Sequence, residues 1–441
     1  MNETVRAAKT EAEQALAAAY AAAKGTLPGD GKIRALRDAA IERFESEGLP
    51  HRRIEDWKYT DLRALMPRAM PLAVPPGAAA RGRAGDVSRL LPGIEARNLV
   101  FVDGTFAPDH SDLRNLESGL TIRAMAEALA SGDPLIASHL DKIVPASDAT
   151  LALNTALMAD GILIHLAPGC TIGRPLHLVF TGTGTKPLSV FTRSLAVVEN
   201  GARGMLVESH ECANAYQVNA VLELAVGNEA HFDHIKVFGG SDDVLYISYL
   251  MASLGAHARY NDFTFISGGA LVRNQIFTRF DGEGALAGIR GASLLKRKQH
   301  ADNTLLIDHK AGGCQSRELF KTVLDDASRG VFQGKIIVRP DAQKTDARMM
   351  TQALLLSETA EADNKPELEI FADDVQCGHG ATTGALDDDL KFYLMARGIP
   401  AKEAEALLIQ AFVGEAIEGI EHAGLRDILM SQIAFWLAAR R

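Results

Sequence analysis

The chain has 441 residues, 47% of them hydrophobic, and its formal net charge is -10. A chain of this length exceeds one ordinary hydrophobic core, so we expect two or three structural units. The acidic balance argues against a nucleic-acid-binding protein, and the sequence has no uncharged apolar window of about 18 residues that would predict a membrane span.

The cysteines indicate a reducing compartment. Four of them are spread along the chain, and no two form a CxxC pair. This spacing indicates neither a zinc ribbon nor a disulfide framework. Glutamate and lysine interrupt the alanine-rich N-terminal stretch, so it lacks the apolar segment of a secretion signal. We therefore expect a cytoplasmic protein.

Residues 1–66 are predicted to form an N-terminal helical domain. Alanine, glutamate and lysine dominate residues 2–24, which predicts a helix that ends at Gly25. Residues 31–47 carry apolar side chains at helical spacing and predict a second helix. Trp57, in the stretch RRIEDWKYTDL, is expected in a partly buried turn that anchors the helices on the structure that follows.

Short apolar runs follow a proline-rich connection. Residues 67–98 contain five prolines mixed with glycine, alanine and arginine, which is typical of a linker or an irregular crossing segment. Residues 99–386 then show short runs bounded by glycine, asparagine and aspartate, such as NLVFVDG, GILIHLAPG and SLAVVENG. These runs have the length of β-strands.

A repeat within residues 99–386 indicates how the strands are arranged. Turn glycines recur at Gly201, Gly227, Gly255 and Gly282, at intervals of 26, 28 and 27 residues. Strand-only units at such a period indicate a solenoid or a propeller, and propeller blades run longer, at roughly 40–50 residues. One coil cannot cover its own apolar face, so neighbouring coils stack. We therefore predict a mainly β fold whose core is a parallel β-helix.

Residues 387–441 are predicted to form a C-terminal helical domain of three helices. Acidic residues precede the first helix, Gly398 ends it, and Pro400 stands near the start of the second. An uncovered last coil of a β-helix exposes unpaired strand edges. The three helices therefore either cap that end or present an apolar face to a partner.

The best candidate for a metal site lies at the end of the β-region. Cys377 and His379 point the same way if they lie on one strand. A thiol beside an imidazole can bind iron or zinc, and the acidic sequence around them attracts cations. Two ligands leave such a site incomplete, and a tight strand end without a metal role is the alternative. His231 and His234 are predicted on opposite strand faces, which fits shared metal ligation poorly.

Residues 364–376 alternate as a strand near the end of the β-region. We expect Glu369, Ile370 and Val375 to lie on an exposed edge that continues the sheet into another chain. The same edge predicts a homodimer when the chain is isolated.

Nucleotide-binding motifs are missing from the sequence. It contains no GxxxxGK[ST] loop and no GxGxxG that joins a strand to a helix. We expect the chain alone to bind no nucleotide and to have no ATPase activity.

Several stretches resemble the SufB/SufD family of iron–sulfur cluster assembly proteins. They are HADNTLLIDH at 300–309, NKPELEIFADDVQCGHGATTG at 364–384 and FYLMARGIP at 392–400. With neighbouring stretches, the match covers most of the second half of the chain. The early stretch IEDWKYTDL is more similar to the SufD branch than to the SufB branch.

The resemblance implies a right-handed β-helix between helical terminal domains and a non-catalytic scaffold role. It implies two partners, a SufB-like scaffold chain and a SufC-like ATPase, with an iron–sulfur cluster held transiently where the two scaffold chains meet. By motif position, His379 is the histidine that faces a cysteine of the partner, and Cys377 is its neighbour. The C-terminal helices would dock the ATPase through apolar residues, for which the candidates are Leu407, Leu408, Phe412 and Ile417.

Two functions from other classes stay open. Many β-helices are carbohydrate-active enzymes, but such grooves need aromatic sugar platforms, and Trp57 and Trp436 both lie outside the predicted solenoid. A purely structural adaptor differs from the scaffold only in whether Cys377 and His379 matter.

Overall fold

Nineteen strands are the main regular elements of the computed structural model, which describes residues 8–84, 88–143, 148–184, 186–212 and 214–440. Residues 2–7 of the first predicted helix lie outside these ranges. In chain order the strands are β1 Arg97–Val102, β2 Thr105–Phe106, β3 Leu120–Ala124, β4 Ile162–Leu166, β5 Leu176–Thr181, β6 Ser189–Val198, β7 Arg203–His210, β8 Gln217–Val226, β9 His231–Phe238, β10 Leu245–Leu254, β11 Arg259–Ile266, β12 Leu271–Phe280, β13 Leu286–Leu295, β14 His300–His309, β15 Gln315–Leu324, β16 Arg329–Val338, β17 Asp346–Leu355, β18 Glu361–Ile370 and β19 Gln376–Gly384.

The strands build a solenoid with two long faces. Sheet I runs in the spatial order β2-β1-β5-β7-β9-β11-β13-β15-β17-β19, and sheet II in the order β3-β4-β6-β8-β10-β12-β14-β16-β18. Each coil gives one strand to each sheet, and neighbours pair in parallel except in the antiparallel pairs β1–β2 and β3–β4. The predicted mainly β solenoid between N-terminal and C-terminal helices is confirmed.

Stacked turns explain the repeated glycines. Gly201 has a φ of 69°, in the left-handed region that glycine tolerates best. The other three glycines of the repeat do not adopt that region. At Gly282, for example, an added Cβ would stand 2.0 Å from the backbone nitrogen of Ala256 in the preceding coil. Glycine is needed there because successive turns stack closely.

Ten helices are distributed over the two ends of the chain and one insertion within the described residues. They are α1 Glu11–Ala23, α2 Gly31–Glu47, α3 Leu62–Leu65, α4 Ala78–Ala84, α5 Met125–Ser131, α6 Pro134–His139, α7 Ala149–Leu157, α8 Asp388–Met395, α9 Ala401–Ile417 and α10 Ala423–Ala438. None of these helices has the length and apolar character needed to cross a membrane.

Helices α5, α6 and α7 interrupt a region for which the sequence predicted strands. Helix α7 is buried along its whole length, where it packs against α2 and against β6 and β8 of sheet II. The run ATLALNTAL is buried on every side and holds polar residues among the apolar ones, so it shows no single apolar stripe at helical spacing. Its start is set by Asp148, whose carboxylate accepts hydrogen bonds from the amides of Thr150 and Leu151.

Trp57 anchors the N-terminal helices on the solenoid, as its sequence context predicted. Its side chain is buried, and its indole nitrogen donates to Asp148 Oδ2 at 2.7 Å. The guanidinium of Arg273, on β12, lies 4.5 Å from the ring centroid and forms a buried ion pair with Asp302. Thr60 donates to the same carboxylate at 2.5 Å. One buried network therefore joins the N-terminal segment to sheet II.

The C-terminal helices lie beside the solenoid. Buried residues of α9 and α10 pack with outward-facing residues of sheet I, including Ile235 on β9 and Phe263 on β11. The strands of the last coil, β18 and β19, consist almost wholly of exposed or half-buried residues. Of the two roles left open by the sequence, capping of the last coil is therefore not the one these helices perform.

Candidate functional site at the open end of the solenoid

Each strand of the last coil has a pairing partner on one side only. Strand β18 pairs with β16, and β19 pairs with β17. The amide of Glu361 donates to the Ser328 carbonyl and that of Phe371 to the Val338 carbonyl, so odd-numbered amides of β18 point to β16. Even-numbered amides point outward, away from β16. Pro366 is tolerated at such a position because the amide hydrogen that proline lacks would have had no partner in β16. The open end thus presents two rows of free backbone groups.

The predicted edge strand over residues 364–376 is in fact two strands on different sheets. Strand β18 ends at Ile370 and β19 begins at Gln376. Val375 lies in the corner between them, half-buried against the interior, so its prediction as an edge-strand residue was wrong. The alternation of apolar and polar residues stops at the corner, where Ile370, Phe371 and Ala372 are followed by Asp373 and Asp374, so the sequence did signal the break.

Cys377 and His379 both lie on β19, beside Ala347 and Met349 of β17. They share the inward side of the strand, and Cys377 packs half-buried against the interior cluster. Burial raises the pKa of the Cys377 thiol, and the carboxylates of Asp346 and Glu318 raise it further. His379 is exposed at the rim.

A groove of about 660 Å³ opens beside these two residues. Its wall includes three arginines and a glutamate from the preceding coils: Arg290, Arg317, Glu318 and Arg348. Sequence reasoning missed all four residues. Glu318 had a readable signal, because it occupies an inward position that Ile289 and Met349 fill in the neighbouring coils. A charged residue in an apolar row is unusual.

Glu318 is a buried carboxyl group without a partner. Its residue is 3% exposed, and neither side-chain oxygen has a hydrogen-bond partner. Burial raises its pKa to about 8, and the nearby Ser316 hydroxyl and Arg317 guanidinium oppose this shift only in part. The register row from Glu318 through Met349 to His379 spans two strand spacings, about 10 Å.

The charge around the groove differs from the sequence expectation. Several acidic residues between 363 and 389 are paired with basic residues away from it: Asp363 with Arg329 at 2.7 Å, Glu369 with Lys335 at 3.0 Å, and Asp374 with Lys344. Of the groove arginines, Arg317 is held by Asp346 Oδ2 at 2.5 Å. Arginines and a carboxyl of raised pKa therefore replace the predicted acidic field.

The four predicted docking residues on α9 do not share one environment. Leu407 is 42% exposed and Leu408 is half-buried. Phe412 is half-buried against sheet I, with Lys321 Nζ 4.5 Å from its ring centroid. Ile417 is 2% exposed and belongs to the interior of the helix–sheet contact, so its prediction as a surface residue was wrong. The spacing of apolar residues along a helix does not show which of them pack against a sheet and which stay exposed.

Exposed apolar side chains instead concentrate elsewhere on the C-terminal helices. Of the twelve large hydrophobic residues exposed in the described ranges, six lie there. They form what we call the C-terminal apolar surface: Leu390, Phe392, Tyr393, Met395, Leu407 and Phe435. Phe392 and Phe435 are the most exposed, at 72% and 75%.

Comparisons with known proteins cover nearly the whole chain. The SufBD core domain of SUF system FeS cluster assembly matches residues 180–412, and the SufBD protein N-terminal region matches residues 11–178. An iron-sulfur cluster assembly SufBD family protein of Synechocystis sp. is 31% identical over 406 residues, 89% of this chain and 88% of its own. Iron-sulfur cluster assembly protein SufD of Escherichia coli is 30% identical over 403 residues, 89% of this chain and 90% of its own. The protein of the same name from Bacillus subtilis is 23% identical over 412 residues, 91% and 93% of the two chains.

Replacing Glu318 with glutamine should remove a pH dependence of stability. The carboxyl of Glu318 has a pKa of about 8 in the folded protein, against an ordinary value of 4.5. At pH values between these two, the folded protein keeps a proton that the unfolded chain releases. The wild type should therefore lose stability relative to Glu318→Gln as pH rises from 5 to 8, by at most about 1.4 kcal/mol per pH unit. Urea unfolding at pH 5, 6.5 and 8 measures the difference, with the exposed Glu358→Gln as control. Parallel pH profiles for wild type and Glu318→Gln would contradict an unpaired buried carboxyl.

Proposed function

Because the chain belongs to the SufBD family of iron–sulfur cluster assembly proteins, we propose that it is a non-catalytic scaffold subunit that pairs through the open end of its solenoid. Its similarity to proteins named SufD makes a SufB-like chain the proposed partner. One observation carries the proposal: Cys377 and His379 stand beside a groove on a last coil whose two strands are unpaired on their outer side. The four cysteines are free thiols, in keeping with the reducing cytoplasm we propose as its location.

The two end strands support pairing with a second chain. They are 10 and 9 residues long, and a long uncovered edge is a template for another strand. Ile370 and Phe371, where β18 ends, are 42% and 59% exposed. Apolar area at a strand edge favours a partner surface over solvent. In isolation the same end would pair with a second copy of the chain.

The groove supports a role in holding a cluster as cargo. His379 offers an imidazole and Cys377 a thiol, and Glu318 adds a buried carboxyl whose oxygens make no hydrogen bond within the described residues. This set is incomplete for an iron–sulfur cluster on one chain, so the partner would supply the remaining ligands. Arginines beside the groove would stabilise the negative charge of a thiolate-ligated cluster.

The C-terminal apolar surface is the proposed contact with a SufC-like ATPase. It gathers half of the exposed large hydrophobic residues of the described ranges on α8, α9 and α10, of which α9 and α10 pack on sheet I. Truncation after Ala385 would uncover the outer face of sheet I, so point substitutions are the better test. A sugar-binding function finds no support here, because Trp57 and Trp436 are both buried.

His379→Ala should lower cluster formation by about tenfold or more while the assembled complex keeps its yield, because one metal ligand is lost. Cys377→Ser should have a milder effect, since the raised thiol pKa leaves little thiolate for ligation. Iron and sulfide per complex, measured after co-expression with both partners, report the effect. Thr382→Ala, exposed on the same strand, is the control. Full cluster assembly by the His379→Ala complex would contradict a role of His379 in holding the cluster. If complex yield fell in parallel with cluster content, His379 would instead be a residue that stabilises the fold.

Ile370→Pro should abolish pairing with the partner scaffold while the chain itself stays folded. The amide of residue 370 points outward, so proline removes a donor to the partner and spares the ladder with β16. Glu369→Pro is the matched contrast, because its amide points to β16 and its loss should lower thermal stability. Size-exclusion chromatography with the partner measures pairing. Normal pairing by a folded Ile370→Pro variant would exclude this edge.

The double variant Phe392→Ser/Phe435→Ser should lose the ATPase subunit and keep the partner scaffold. It removes the two most exposed rings of the C-terminal apolar surface without opening the contact with sheet I. Co-purification of the three subunits measures the result, and Val74→Ser, which alters a 69% exposed residue outside the C-terminal helices, is the control. Undiminished ATPase recovery with the double variant would place the docking surface elsewhere.

A further inference from the structure

Three metal-ligating side chains meet where the C-terminal helices contact the solenoid, far from the open end. His231 and Asp233 lie on β9, and Glu421 lies in the connection between α9 and α10. One ligand atom from each residue lies within 4.8 Å of the others. Strand β9 is five strand spacings from β19 in sheet I, about 24 Å. This cluster is therefore separate from the groove at Cys377 and His379.

Strand geometry brings His231 to this place and takes His234 away from it. His231 and Asp233 face outward with Ile235, which packs against the C-terminal helices. His234 faces the interior, where Asp262 Oδ1 lies 2.6 Å from its Nδ1 and Glu208 Oε1 lies 2.7 Å from its Nε2. The sequence argument against shared ligation by the two histidines holds. It did not show Glu421, which is distant in sequence.

The imidazole of His231 directs its Nε2 toward the carboxylate of Asp233, whose Oδ1 lies 3.5 Å away. That nitrogen is shielded from solvent and makes no close hydrogen bond within the described residues. Asp233 Oδ1 is already fixed by the Asn261 side-chain amide at 2.8 Å, as the second-layer partner of a ligand would be. Glu421 is exposed and free to move onto the cluster. A shielded nitrogen whose nearest acceptor is 3.5 Å away is poorly satisfied, and a bound cation would remove that cost.

We propose that His231, Asp233 and Glu421 bind a first-row divalent cation, of which Zn²⁺ and Fe²⁺ are the best matched. One imidazole and two carboxylates suit these ions better than Mg²⁺ or Ca²⁺, which prefer oxygen ligands alone. Three protein ligands leave coordination positions for water. The bound cation ties the α9–α10 connection to β9.

Two arginines weaken the site and supply a further test. The register places Arg203 and Arg259 on either side of His231, and both are exposed. Their charges oppose a cation at short range, although solvent and salt screen them. Neutralising Arg203 should therefore strengthen binding, whereas a purely structural cluster would show no such response.

Isothermal titration of the full chain with Zn²⁺ tests the proposal, using His379→Ala/Cys377→Ser as the background so that the groove cannot contribute. We expect one Zn²⁺ per chain and a rise in the melting temperature with Zn²⁺. Adding Asp233→Asn or Glu421→Gln should weaken binding at least about tenfold and remove the thermal shift. Glu418→Gln, exposed next to the same connection, should leave both unchanged, and Arg203→Gln should tighten binding.

The proposal is overturned if the background chain takes up no Zn²⁺, or if Asp233→Asn and Glu421→Gln both bind Zn²⁺ like the background. Because Glu421 is exposed, the Glu421→Gln variant should fold normally. It therefore gives a decisive result even if the Asp233→Asn variant fails to fold. The outcome is independent of the scaffold role, since the readout involves neither partner nor cluster.

Discussion

Pairing between successive coils is the constraint on which this structure depends. Every interior strand satisfies its backbone groups on both sides, and the side chains of each coil are buried only by its neighbours. The ladder must stop somewhere, and at β18 and β19 it stops without a cap. The free edge, the exposed Ile370 and Phe371, and the groove beside Cys377 all follow from that single interruption. In the proposed scaffold role, this open end is where a second chain would pair.

The buried ionisable side chains of the interior differ in whether they have a partner. His234 is held between Asp262 and Glu208, and Arg273 is paired with Asp302, so each buried ion has a partner. Leaving one member of such a pair alone costs several kcal/mol. Glu318 departs from this pattern, because both its oxygens lack partners although it is fully enclosed. A residue that weakens the core at the wall of the groove is better explained by the groove than by stability.

The helical segments divide the outer surface of the solenoid between them. The N-terminal helices and α7 cover sheet II, and α9 and α10 cover sheet I. Lys365 on β18 pairs with Glu55 of the N-terminal segment, but in the described ranges the strands of the last coil stay exposed or half-buried. The proposed contacts with a scaffold chain and with an ATPase would use this end and the outer face of the C-terminal helices. The cluster of His231, Asp233 and Glu421 lies where the C-terminal helices contact sheet I. An ion bound there would hold the connection between α9 and α10 against β9.

Local rules were enough to determine part of this protein from sequence. The spacing of Gly201, Gly227, Gly255 and Gly282 predicted the coil, because its turns need either the left-handed φ of Gly201 or, at the other three glycines, a close approach that leaves no room for a side chain. The two-residue period of a strand placed Cys377 and His379 on one side and His231 and His234 on opposite sides. Each of these features depends on a few adjacent residues.

Tertiary structure alone decided the features that join distant segments. The burial of Ile417 and the helix at α7 depend on which surface packs against which, and the apolar pattern of the sequence is the same in either case. Glu318 meets Cys377 and His379 through strand register across three coils, and Glu421 reaches His231 across the fold. Register and layer packing are set by the summed burial of whole sheets, a quantity that no local stretch of sequence contains.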